Sequence, residues 1–137
     1  TQLFSNALPP AVCYGSMAAM DVLMGNVPGL SGAALLEQLR SNVAHFRAGV
    51  KDLGLSTIEG LTPIVPVMVG ETATAIAMQQ ALLGEGVFVS GFGFPVVPRG
   101  EARLRCQVSA GHTRADLDAC LAAFARVAEK FPAARGH

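Results

Sequence analysis

Arg103 and Arg105, separated by Leu104, are the residues whose type and spacing point most directly to chemistry. Two positions apart on an extended strand, they stand on one face. A buried charge without a partner is very costly, so the pair requires solvent or an anionic partner. A planar guanidinium fork suits bidentate binding of a carboxylate. A solvated strand face is the plainer account of the same pattern, and both readings stand at this level. The other candidates carry less. Gly91-Phe92-Gly93-Phe94-Pro95 lacks the third glycine of a dinucleotide loop, and prolines stand where a phosphate-binding helix would begin. It reads as a turn or an active-site loop. His112 precedes a helix start, where a lone histidine is more often a satisfied loop residue than a catalyst. His45 falls on the polar side of a helix and His137 is the last residue. Lys51 and Lys130 occupy helix surfaces, where nothing desolvates an amine for Schiff-base chemistry. Cys13, Cys106 and Cys120 show neither CxxC nor metal-ligand spacing, and read as reduced thiols.

The elements that must position these residues follow from periodicity. Pro10 suits the first turn of a helix over about Ala11 to Met24, and Gly25-Asn26 suits its end. That segment is apolar on nearly all sides, as in a helix buried against something else. Ser31 can cap a second helix whose stripe is Leu36, Leu39, Val43, Phe46, Val50 and Leu53, stopped by Gly54. Ile64 to Val69 is strand-like, with Pro66 marking an edge or a bulge. A helix is expected over Thr72–Leu83 with Thr72 as N-cap and Gly84 past its end, then a strand over Val87–Ser90. Gly91 to Gly100 is a loop. Arg103 to Val108 alternates, with Leu104, Cys106 and Val108 on one face and Arg103, Arg105 and Gln107 on the other. Thr113 and Asp116 have capping-box spacing before a last helix with the stripe Leu117, Leu121, Phe124 and Ala128. Few strands among several helices imply an α+β layer, one sheet with helices on one face.

Composition sets the bounds. The 137 residues are 51 % hydrophobic and only 15 % charged, with a formal net charge of zero. Such a chain buries enough apolar surface to offset its ordering entropy, which argues against disorder. Balanced charge provides no footprint for nucleic acid or an anionic membrane. No apolar run reaches the roughly 20 residues of a membrane span, and the first residues do not read as a signal peptide. The low charge implies apolar surface meant for another domain or subunit. The start, without Met and directly in an apolar segment, is expected to be a cut within a longer protein.

Several blocks, in order, resemble the α-oxoamine synthase family of fold-type-I pyridoxal-phosphate enzymes. They are Leu3-Phe4-Ser5-Asn6-Ala7-Leu8-Pro9-Pro10, Thr62-Pro63-Ile64-Val65-Pro66-Val67, Gly86-Val87-Phe88-Val89-Ser90-Gly91-Phe92, Phe94 to Arg105, and Ser109-Ala110-Gly111-His112-Thr113. The stretch before the arginines is most similar to members that condense glycine with acetyl-CoA. Members of the 8-amino-7-oxononanoate, aminolevulinate and ketosphinganine type share the outline but usually differ there.

The resemblance implies the small C-terminal domain of the fold-type-I aminotransferase fold, with a short, mainly antiparallel sheet. Residues 1–30 would be a connector and helix from a missing large domain, and residues 31–137 the small domain. It implies pyridoxal 5'-phosphate as cofactor of the intact enzyme, Arg105 as the grip on the amino-acid carboxylate, and Ser5 and Asn6 as contacts to the cofactor phosphate across a homodimer. Thr often stands in the family where this chain has Asn6. The Schiff-base lysine and the aspartate partner of the pyridine nitrogen would lie upstream, so the fragment is expected to be inert; the reduced thiols make a cytoplasmic enzyme the expectation. A free-standing α+β module that binds an acidic ligand through Arg103 and Arg105 is the reading from another class.

Overall fold

In the computed structural model, which describes residues 7–134, the alternating arginine segment is the middle of the sheet. The helices are α1 (Pro10–Met24), α2 (Gly32–Asp52), α3 (Thr72–Gly84) and α4 (Arg114–Lys130). The strands are β1 (Ile64–Gly70), β2 (Ser90–Phe92) and β3 (Ala102–Gln107). A short 3₁₀ turn, Pro132–Ala134, follows α4. The sheet order is β1-β3-β2 with both pairs antiparallel. Ala102, Leu104 and Cys106 of β3 and Val65, Val67 and Val69 of β1 are all buried. α3 packs on all three strands, and α4 and the later part of α2 share the same core. The expected α+β layer is the observed one.

The chain divides within α2 into two compact units, Thr1–Glu37 and Gln38–His137. In the first, Pro10 occupies the first turn of α1 and Gly25 ends it in the left-handed conformation. Asn26 completes the stop, its N–H reaching Asp21 O at 2.8 Å. Ser31 Oγ accepts from Ala34 N–H at 3.2 Å, which caps α2 as its sequence indicates. Gly32 packs so close to the Leu23 backbone that a Cβ would come within 2.5 Å. No residue of α1 is buried within this chain, despite its apolar character.

In the second unit Val43, Phe46 and Val50 of α2 are buried, and Leu39 is half-buried against the same core. Phe46 meets Phe124 of α4 edge to face, ring centroids 6.0 Å apart. Pro66 lies on an edge strand, as its type requires. Met68 N–H donates outward to Ser56 O, so by the period of two the missing Pro66 N–H also falls on the outer edge. The register shifts between Met68 and Gly70.

Several boundaries differ from the sequence reading, β3 running over Ala102–Gln107 rather than Arg103–Val108. The N-cap of α3 is Glu71, not Thr72. Thr72 Oγ1 instead accepts from Phe94 N–H at 3.1 Å, pinning the loop after β2. The left-handed stop after α3 is Gly86 (φ 81°), because the helix runs through Gly84. The second strand is Ser90–Phe92 rather than Val87–Ser90. Val87 N–H is spent on Leu82 O at the end of α3, so the chain joins β3 only at Ser90. Gly91 and Gly93 then lie against α3: a Cβ would come within 2.8 Å of Gln79 Oε1 at Gly91 and 2.3 Å of the Thr72 methyl at Gly93.

Candidate functional site

The face of the sheet opposite its buried residues carries Arg103 and Arg105 on its central strand, so their surroundings are set by both neighbours. Arg103 pairs in register with Met68 and Phe92, Arg105 with Pro66 and Ser90. The two forks differ in what they hold. Arg103 Nε donates to Glu101 O and its Nη2 to Glu101 Oε2, both at 3.2 Å. Arg105 is exposed and has no hydrogen-bond or ion-pair partner among the described residues. The loop between β2 and β3 is braced separately, with Arg99 stacked over the Phe94 ring at 4.5 Å.

Arg105 also lines a cavity of about 840 Å³ where the Gly86–Val89 stretch stands off from the end of β3. Its lining combines apolar residues, including Val87, Val89, Val108 and Leu117, with the polar Arg105, Gln107, Ser109 and His112. Its two carboxylates are engaged. Glu85 Oε2 accepts from Arg126 Nε and Nη2 at 3.0 and 2.7 Å. Asp116 Oδ2 accepts from Thr113 N–H at 2.8 Å and Thr113 Oγ1 at 2.7 Å, the expected capping box. Those bonds, the side-chain one foremost, hold the Asp116 carboxyl below its usual range. Arg126 offsets the charge of Glu85, whereas Asp116, bonded to neutral groups of Thr113, keeps its negative charge; Arg105 is the lining cation without a partner among the described residues, and its fork is free for an anion. Cys106 and Cys120 also line it. Burial pushes the Cys120 thiol up to about 11 and that of Cys106 further still, with Cys120 adding a smaller push on Cys106. Neither is a poised nucleophile.

Sequence reasoning missed Asn42, which is fully buried in the core. Its Nδ2 donates to Ser109 O at 3.0 Å and to His112 O at 2.8 Å, and its Oδ1 accepts from Gln38 Nε2 at 2.9 Å. One signal was present: Asn42 is three residues after Leu39 and four before Phe46, a polar residue inside an apolar stripe. Ser5 and Asn6 lie outside the described residues. Neither described lysine suits a pyridoxal-phosphate linkage. Lys51 Nζ donates to Glu59 at 2.6 Å on the surface, which lowers the Glu59 carboxyl, and Lys130 is exposed at the end of α4. Among the described residues Arg105 thus offers a free fork, and neither lysine stands in a setting for a cofactor linkage.

The profile of the family "Aminotransferase class I and II" matches residues 2–124. The chain is 41 % identical over 128 residues to an 8-amino-7-oxononanoate synthase of Thermoanaerobacter pseudethanolicus, covering 93 % of this chain and 31 % of that protein. It is 39 % identical over 125 residues to the human mitochondrial 2-amino-3-ketobutyrate coenzyme A ligase, covering 91 % of this chain and 28 % of that one. Among solved structures it is similar to SPT with PLP, with a TM-score of 0.82 at 29 % identity over 95 % of this chain and 32 % of the other. The chain spans about three tenths of the length of these proteins.

Proposed function

The chain belongs to the aminotransferase class I and II family, on its α-oxoamine synthase branch, and from that premise we propose that it is the C-terminal part of a pyridoxal-phosphate-dependent acyltransferase. The reaction assigned to the intact enzyme is condensation of glycine with acetyl-CoA to 2-amino-3-ketobutyrate and CoA. The observation that carries the reading is the free fork of Arg105 at the centre of the open sheet face, beside a cavity whose acids are already engaged. When bound, pyridoxal phosphate supplies the electron sink for the carbanion chemistry. This chain's own part is to bind and orient. Arg105 takes both carboxylate oxygens of the amino acid, which fixes the Cα, while Arg103 stays with Glu101 and braces the loop. The linking lysine is assigned to the remainder of the protein.

The other proposals extend from the same premise. Residues 1–30 connect to the large domain, residues 31–137 form the small one, and α1 packs its exposed apolar residues on the missing part. Ser5 and Asn6 reach the cofactor phosphate of the neighbouring subunit in a homodimer. Among the described residues no helix is long and apolar enough to cross a membrane. A cytoplasmic location is the reading that three free thiols support, although the human relative is mitochondrial.

A second reading, an α-oxoamine synthase with another acyl chain or amino acid, is supported by the 41 % identity to the oxononanoate enzyme. The test is CoA release by the intact protein, with glycine, alanine or serine against acyl-CoAs of increasing length. Glycine with acetyl-CoA is expected to have the highest kcat/KM. A higher value for another pair selects the second reading. Absence of turnover with every pair leaves only an anion-binding module.

A further inference from the structure

We infer that His112 is a second hydrogen-bond donor of the Arg105 site, directed through Nε2 to an acceptor oxygen of the anion that Arg105 holds. This deepens the proposed function and rests on its reading of Arg105. The Ser109 N–H donates to His112 Nδ1 at 3.2 Å. A ring nitrogen that accepts carries no proton, so the neutral imidazole bears its proton on Nε2. That nitrogen has no partner among the described residues, and the ring lines the same cavity as Arg105. Glu85 is neutralised by Arg126, and the Asp116 oxygen that bonds Thr113 leaves its carboxylate charged and in electrostatic reach of His112, so Arg105 and the His112 Nε2–H are the donors an incoming anion meets.

The turn that presents the ring is held from behind. Asn42 places both amide hydrogens on Ser109 O and His112 O, while Gly111 N–H closes on Ser109 Oγ at 3.1 Å. An amide in an apolar core is tolerated only when its bonds are made, and here donor and acceptor sides are both used. Asn42 is thus a positioning residue that acts through His112. It does not reach the ligand itself.

Long-range ¹H–¹⁵N correlation on the labelled 137-residue chain tests the first step. The Nε2–H tautomer is expected for His112, and the Nδ1–H tautomer overturns the inference. Asn42→Leu keeps the volume and removes both donors. It is expected to mix the His112 tautomers without changing those of His45, and an unchanged His112 in a folded variant overturns the positioning role. In the intact enzyme with its cofactor, His112→Leu should raise the amino-acid KM about ten-fold with kcat within about two-fold, as for one lost hydrogen bond to a charged group. His112→Gln, whose amide nitrogen falls near Nε2, should recover most of that loss. Arg105→Lys is measured in parallel. If it raises KM and His112→Leu does not, the inference is overturned while the Arg105 reading stands. If neither moves KM, both are overturned.

Discussion

Arg103 and Arg105 look alike in the sequence, and the fold separates them: Arg103 is bonded to Glu101, while Arg105 is exposed and lines the cavity. Replacing Arg105 by Lys keeps the charge and loses the planar fork. In the intact enzyme Arg105→Lys should raise the amino-acid KM by about ten- to a hundred-fold, the equivalent of one charge-assisted bond. Arg103→Lys should shift it by less than about three-fold, because a lysine there can still reach Glu101. A larger effect at Arg103 would move the clamp to the wrong neighbour. The thiols give a second test at this scale. Cys120 is raised from 9.0 to about 11. At pH 8 its thiolate fraction falls far below that of an ordinary cysteine. Mass spectrometry of iodoacetamide-treated native chain should show Cys120 modified on the order of a hundred-fold more slowly than a small-molecule thiol. Cys106, buried and raised further, should be slower still. The sign for stability follows. A thiol whose folded pKa is raised stays protonated while the unfolded chain ionises. Its contribution is therefore intact below about pH 9 and is lost as pH rises toward 11. Equal labelling rates for Cys120 and the free thiol would refute the burial argument.

Among the elements, α2 and α4 cross at Gly49, where a Cβ would come within 2.3 Å of a Leu121 methyl. Gly49→Ala gains about 0.5–1 kcal/mol of helix propensity and loses about 1–3 kcal/mol to overpacking, so packing wins. Urea unfolding should show net destabilisation of about 1 kcal/mol, and a stabilised variant would mean that Leu121 swings aside freely. Thr113→Ala removes the cap of α4 and should cost about 1 kcal/mol at pH 7. Asp116, the other half of that box, has a lowered pKa, so its contribution is present above the ordinary Asp range and is lost as pH falls through its folded value. The Thr113→Ala difference should therefore narrow in acid, and a constant difference down to pH 2 would exclude the reciprocal bond. These elements also show where sequence carried the fold. The α4 cap, the α2 stripe from Leu39 to Leu53 and the β3 alternation are local patterns with one structural solution each, while Leu36 at the start of that stripe is exposed. The start of β2 was not local. Val87–Ser90 has strand residues, but Val87 N–H is claimed by Leu82 O, and the ladder is formed by Ser90, Gly91 and Phe92. Asn42 was equally hidden, since its partners Ser109 and His112 come together with it only in the folded chain.

For the whole molecule, the open question is what covers α1. Val12, Tyr14, Met17, Met20, Leu23 and Met24 are all exposed, and α1 buries nothing within this chain. Contiguous apolar surface on that scale marks an interaction site in soluble proteins. If the proposed large domain is its partner, the 137-residue chain alone leaves that surface open to water. The isolated chain should then self-associate in sedimentation experiments and enhance the fluorescence of a hydrophobic dye. The Met17→Lys and Met20→Lys double variant should reverse both effects, because a charge in an apolar contact costs more than the contact returns. The thermal midpoint should stay within a few degrees, since neither side chain contributes to the core. The same preparation tests the missing chemistry. Lys51 is paired with Glu59 and Lys130 is exposed, and solvated amines remain protonated at pH 7. Pyridoxal phosphate added to the chain should wash out on desalting, and no CoA should be released from glycine and acetyl-CoA. A stoichiometric cofactor absorbance band that survives desalting would place a linking lysine in this chain. A monomer that ignores the dye would mean that α1 needs no partner.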